Sequence, residues 1–293
     1  MWIFIILFIL GLAIGSFLNV VSLRYEPGNR ILGLRIIGGR SHCRYCQKTL
    51  RWYELIPLLS FLFQLGKCRS CGHKLSYQYP LIELLGGLIF VFAPLVISYW
   101  LAVIIWLLIF ALFLLLSIID FRYYIIPDSI NLFLAILGLI LISVNYFSIA
   151  NNNSIINQFS NNSFLGHYSL LFTPSYQLLT ANYGLFLNHF LAAFAAMAFV
   201  AAIIIFSRGK GMGWGDFKLV GALGLIFGWP DILMILFLSF IIGSVFVLPL
   251  LIKKQKTMKD VVPFGPFLII AASLTFFFGY QIIDSYFKLF SLV

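Results

Sequence analysis

Long apolar runs broken by short polar stretches set the pattern of this chain. Read in order, they predict eight membrane crossings, over 2–23, 80–98, 100–119, 129–147, 185–206, 217–229, 231–252 and 264–290. Several of these runs reach the roughly 20 residues that a helix needs to cross the hydrocarbon core of a bilayer. The sixth is the shortest and carries Gly221, Gly224 and Gly228. Glycines of this kind allow close packing between membrane helices, so a tilted or broken span is expected there. Two longer polar segments interrupt the pattern. Residues 24–79 are basic and hold every cysteine, whereas residues 148–184 are rich in Asn and Ser and contain no Lys, Arg, Asp or Glu.

Composition supports the membrane reading. Of 293 residues, 62% are hydrophobic and 10% are charged, and the mean hydropathy is +1.05. A soluble domain carries about 25% charged residues, so a water-facing surface cannot be built from this sequence. The net charge of +10 is concentrated: ten of the 19 Lys and Arg lie between Arg24 and Lys74. If each run crosses once and the first enters with its N-terminus outside, only Lys288 falls on the outer side. That is the positive-inside pattern. It assigns the charge to topology and removes nucleic acid as an expected partner, with attraction to anionic headgroups a simpler role for the basic loop. The first run has no basic residues before it and is followed by Arg24, so it reads as a retained span and not as a cleaved signal.

The four cysteines form two CxxC knuckles, Cys43–Cys46 and Cys68–Cys71, with 21 residues between them. This spacing is close to that of a zinc ribbon, in which two knuckles complete a closed four-thiolate site. A structural zinc is therefore expected from Cys43, Cys46, Cys68 and Cys71. Disulfides and a redox pair are the alternatives, disfavoured by the cytoplasmic side and by the lack of a βαβ pattern.

Nine carboxylates serve the whole chain, and ionisable groups at membrane spans mark function by default. Asp120 closes the apolar run 101–119, and Asp216 ends Gly213-Trp214-Gly215-Asp216 where the chain re-enters the membrane. The topology places both at the same edge. Two carboxylates held close can share a proton and activate a water against a peptide carbonyl. Equally, Asp120 could simply end one helix and Asp216 cap the next. Asp128, before the fourth span, has the position of an N-cap, with a supporting site role as the alternative. Glu83, in the first turn of the second span, suits the helix dipole and could also face a site.

Several segments together resemble bacterial type IV prepilin peptidases. They are Gly15-Ser16-Phe17-Leu18-Asn19-Val20-Val21, the stretch from Trp52 to Phe61 between the knuckles, Tyr79-Pro80-Leu81-Ile82-Glu83-Leu84, Asp120 to Asp128, Gly213 to Asp216, and Val262-Pro263-Phe264-Gly265-Pro266-Phe267. The resemblance implies an all-α integral membrane fold of about eight helices, with a small cytoplasmic zinc-ribbon-like domain between the first two. Its parts would be a first helix (1–23), the four-cysteine domain (24–79) and a peptidase core (80–293) with an outward loop at 148–184. It further implies an aspartic endopeptidase of the GxGD type in the bacterial inner membrane, with Asp120 and Asp216 catalytic and Gly213, Gly215, Asp128, Lys218 and Glu83 in support. The expected substrates are prepilins or pseudopilins, cleaved between Gly and Phe at the cytoplasmic face. N-methylation of the new terminus by S-adenosylmethionine is expected to follow. No Gly-rich nucleotide motif marks where that methyl donor binds. The 37-residue loop 148–184 and the aromatic Trp214 depart from the family pattern. A peptidase lacking the methyltransferase and a zinc-bearing transporter are the alternative readings.

Overall fold

The computed structural model describes residues 2–28, 33, 36, 38–97, 100–150, 184–209, 211–254 and 260–290. Of the Asn/Ser-rich loop expected over 148–184, residues 151–183 lie outside the described residues. Seven long helices and one shorter one, α7, occupy the eight apolar runs: α1 (Trp2–Arg24), α3 (Gln78–Val96), α4 (Trp100–Tyr123), α5 (Asp128–Ala150), α6 (Gly184–Phe206), α7 (Trp214–Phe227), α8 (Asp231–Ile252) and α9 (Gly265–Phe290). Between α1 and α3, a 3-10 turn (Trp52–Leu55) leads into the short helix α2 (Leu59–Phe63). No named strand occurs among the described residues; two isolated antiparallel bridges do, His42 with Thr49 and Lys67 with Lys74.

Six helices, α1, α3, α4, α5, α6 and α8, are long and apolar enough to cross a membrane by length and composition. The sixth expected span, α7, is only 14 residues long. At 1.5 Å per residue that is about 21 Å, against a hydrocarbon core of about 30 Å. Its shortness is tolerated because nine of its residues are buried, so it is clad by protein and not by lipid. The chain is thus a multi-pass membrane protein.

The chain divides into two compact units. The first comprises Met1–Leu95 with Trp106–Ile119. Here α1 and α3 approach backbone to backbone: a Cβ on Gly11 would stand 2.5 Å from the Gly86 carbonyl oxygen, and one on Gly15 2.8 Å from that of Ile82. Small residues at such crossings replace the hydrophobic effect, which lipid does not supply, with tight van der Waals packing. Gln78 Nε2 closes the same pair by donating to Asn19 Oδ1 at 2.9 Å.

The second unit comprises Val96–Ile105 with Asp120–Val293. In it α7 packs chiefly against α5 and α6, and α8 packs against α9. Gly224 of α7 lies directly on the Ala193 backbone of α6, where a Cβ would come within 2.5 Å of its Cα. Gly138 of α5 admits Ile226 in the same way. The glycines that made this span look insecure in the sequence are thus what let α7 sit in the middle of its unit.

Candidate active site

Asp120 sits near the C-terminal end of α4, and Asp216 is the third residue of α7. Both are buried, 4% and 8% exposed. The Asp216 Oδ2 accepts the Gly213 backbone N–H at 3.1 Å. An acid in the first turn of a helix satisfies one of its orphan donors and suits the positive end of the dipole. Asp120 Oδ2 accepts the backbone N–H of Gly265, at the start of α9, also at 3.1 Å. These are all the hydrogen bonds of the two carboxylates among the described residues, so each keeps its Oδ1 for water or substrate.

Ile126 brings the three chain segments together. A Cβ on Gly215 would stand 3.0 Å from the Ile126 Cβ, and one on Gly265 would stand 3.2 Å from its Cδ1. The Gly265 Cβ would also be only 2.7 Å from Asp120 Oδ2. The glycine turn before Asp216 and the turn before α9 therefore meet across one isoleucine side chain, beside Asp120. The Asp216 carboxylate is within electrostatic reach of Asp120.

Lys218 Nζ and Asp128 Oδ1 form an ion pair at 2.8 Å, with side chains 49% and 73% exposed. It joins α7 to the first residue of α5, at the surface. At that exposure such a pair contributes about 0–1 kcal/mol.

In the other unit the two cysteine knuckles repeat one another's hydrogen bonds. Cys43 N–H donates to Lys48 O and Gln47 N–H to Cys43 O; 25 residues on, Cys68 N–H donates to His73 O and Gly72 N–H to Cys68 O. Each knuckle turns through a left-handed residue, Gln47 (φ 55°) and Gly72 (φ 69°), and each buries its first cysteine and exposes its second. The four Sγ atoms lie within 4.8 Å of one another, with Cys43 and Cys71 3.9 Å apart. Four thiolates about 2.3 Å from a tetrahedral zinc stand about 3.8 Å apart, so the donor set fits that ion. The backbone N–H groups of Cys71 and then Ser70 point at the Cys68 sulfur and hold its thiol down at about 7, whereas, against the pull of the His73 backbone N–H, burial and the neighbouring sulfurs push Cys71 up to about 11, so Cys68 is the first of the two to ionise. Tyr45 of one knuckle stacks on His73 of the other, ring centroids 3.3 Å apart.

Glu83 is buried in the first unit. Its Oε2 accepts the Leu58 backbone N–H at 2.8 Å. It thereby links α3 to the turn before α2, while its backbone packs on Gly15 of α1. Beside it lies a cavity of about 400 Å³, walled by Glu54, Glu83, Tyr79, Arg44 and the Cys43 knuckle.

Residues 9–97 match the bacterial peptidase A24 N-terminal domain, and residues 106–248 match the type IV leader peptidase family. A prepilin leader peptidase/N-methyltransferase of Bacillus subtilis (strain 168) is 30% identical, covering 97% of this chain and 98% of the relative. The chain belongs to the type IV leader peptidase family. A prepilin leader peptidase/N-methyltransferase from Xanthomonas campestris is 31% identical over 95% of this chain and 92% of its own length, and one from Legionella pneumophila 27% over 97% and 94%. No solved structure matches.

The family's N-terminal domain thus covers the knuckles and Glu83, and its peptidase domain covers Asp120, Asp128, Asp216 and Lys218. Gly265 lies beyond both matched ranges, yet its N–H is the group that holds Asp120. Sequence reasoning assigned no role to Gly265, to Ile126 or to Leu58. The one signal for Gly265 was its place in Pro263-Phe264-Gly265-Pro266, a tight turn set directly before a span.

Proposed function

We propose that the chain is a membrane aspartic endopeptidase of the bacterial inner membrane that removes the basic leader of prepilins or pseudopilins at the cytoplasmic face. Asp120 and Asp216 are its catalytic pair. The observation that carries this reading is the meeting of Gly215 and Gly265 across Ile126 beside Asp120, with both acids buried and each bonded through Oδ2 alone among the described residues. One acid, ionised, takes a proton from water as the water attacks the scissile carbonyl. The other, protonated, donates to that oxygen; on collapse the first acid passes its proton to the leaving amine nitrogen and the second takes its proton back from the oxygen. Gly213 leaves the Asp216 carboxylate uncrowded, Gly215 lets its turn pack on Ile126, and Asp128 with Lys218 brace α5 against α7. The positive-inside distribution supports an N-terminus outside and a four-cysteine loop, with the acids, on the cytoplasmic side. A substrate whose apolar helix lies in the bilayer presents its Gly–Phe bond at that level.

The relatives' second printed activity is N-methyl transfer, for which S-adenosylmethionine would supply the methyl group. The cavity beside Glu83 suits such a ligand: at about 400 Å³ it falls within the roughly 300–1,000 Å³ of small-molecule sites. Its two carboxylates, Glu54 and Glu83, complement a sulfonium cation, and Arg24, Arg44 and Lys74 of the same lining complement the carboxylate of the donor's methionine portion. Zinc held by Cys43, Cys46, Cys68 and Cys71 would pin the wall of that cavity.

The deciding experiment uses purified protein in detergent, a prepilin and S-adenosylmethionine, read by mass spectrometry. Cleavage and a further gain of one methyl group are scored separately. Loss of cleavage in both Asp120→Asn and Asp216→Asn is expected, and normal cleavage in either one rejects the catalytic pair. Cleavage without any methyl gain identifies a peptidase alone.

A further inference from the structure

We infer that the segment from Arg51 to Lys67, built around α2, is seated in the membrane interface, with its apolar side chains among the lipid headgroups and upper acyl chains. In a water-facing loop its surface would be anomalous. Trp52 is 77% exposed, Phe63 83% and Leu65 85%, and Leu59 and Leu62 are exposed beside them. These five lie within fourteen residues whose only acid is Glu54, and an exposed cation, Arg51 or Lys67, stands at either end.

The depth of the segment is fixed by its tether. The Leu58 N–H is bonded to Glu83, five residues into α3, at the level where Gly15 of α1 packs against the Glu83 backbone. At 1.5 Å per residue this anchor point lies about 8 Å inside the end of a membrane helix. An interfacial helix buries its apolar face about 5–10 Å into the headgroup and acyl boundary. Leu58 thus holds α2 at the depth where its leucines and Phe63 meet lipid. Its own backbone is in the left-handed region at φ 58°, a conformation that a leucine rarely adopts and that the bond to Glu83 sustains. On the adjoining spans Phe17 and Leu81, close in sequence to Gly15 and Glu83, are also exposed apolar residues.

Charge selects lipid over the other candidate occupant, a prepilin. Arg51 and Lys67 attract anionic headgroups and repel a basic leader. Tryptophan at one end of the segment is the residue type that favours the membrane–water boundary.

The test uses the full-length protein in nanodiscs of phosphatidylcholine with a minority of phosphatidylglycerol. A photoreactive benzophenone amino acid replaces Phe63, Leu65 or, as the comparison, Lys48, which is exposed on a cysteine knuckle. Each variant is first shown to melt at the parent temperature. After illumination, lipid adducts at positions 63 and 65 are expected to exceed those at 48 by at least about tenfold, the contrast between acyl-chain and aqueous surroundings. Equal adduct yields at all three positions overturn the inference. So do adducts that transfer to an added prepilin at the expense of lipid, which would make the segment a substrate dock.

Discussion

Replacing Gly265 by alanine tests the site at its most constrained point. Gly265 has no left-handed φ, so alanine fits its backbone without strain. The added methyl would, however, stand 2.7 Å from Asp120 Oδ2, where ordinary contact begins at 3.4 Å, and 3.2 Å from Ile126 Cδ1. The shortfall is 3.4 − 2.7, so the carboxylate must retreat by about 0.7 Å, stretching its bond to the Gly265 N–H; a 1 Å misplacement can cost about a hundredfold in rate. A loss of roughly 10–100-fold in kcat is therefore expected, equivalent to about 1.4–2.7 kcal/mol of transition-state stabilisation. The assay is the steady-state cleavage of a purified prepilin in detergent, with the melting temperature recorded alongside. If Gly265→Ala melts like the parent and also cleaves at the parent rate, then the position of the Asp120 carboxylate does not govern the reaction and the assignment fails.

Asp120→Asn and Asp216→Asn should each lower cleavage by at least about 10²–10⁴-fold, the usual contribution of a general acid or base, while the proteins still purify as folded species by size exclusion. Gly224→Ala should destabilise by about 1–3 kcal/mol, because the new methyl meets Ala193 backbone at 2.5 Å; Gly221→Ala faces the flexible Met197 thioether and should cost less, an order that melting curves can check. Lys218→Ala should change stability by under about 1 kcal/mol, as befits an exposed ion pair, and a larger loss would give that pair more than a bracing role. Cys43→Ser should abolish stoichiometric zinc measured by elemental analysis, since a closed four-thiolate site lacking one ligand holds its ion poorly; retained zinc would exclude the four-cysteine site.

Much of the fold was legible because the bilayer leaves so few options. A backbone in hydrocarbon must satisfy its own hydrogen bonds, so each apolar run becomes a helix, and Asp120 and Asp216 stand out as acids at the ends of such runs. The knuckles were legible for a related reason: a metal site fixes ligand spacing along the chain. What could not be read was anything set by packing between distant segments. The Gly265–Asp120 bond spans 145 residues, and the Lys218–Asp128 pair spans 90. Asp128 looked like a helix cap in the sequence; in the fold it opens α5 and holds Lys218. Glu83 was expected in the first turn of its span as a dipole partner, but the helix starts at Gln78, which puts Glu83 in the second turn, where its carboxylate accepts the Leu58 N–H. Neither partner carries any periodic or compositional mark.

The brevity of α7 bears on a supply problem that any hydrolase in a membrane must solve. Hydrolysis consumes a water, and hydrocarbon holds almost none. A central helix about 9 Å shorter than the hydrocarbon thickness cannot keep both of its ends level with the headgroups. The end that carries Asp216 is open to the surface: Gly213 and Trp214 are exposed and Lys218 pairs with Asp128 there, while the Asp216 carboxyl itself is buried. The same missing turns that make this span look defective thus leave a buried acid within one helical turn of the exposed surface from which water can come.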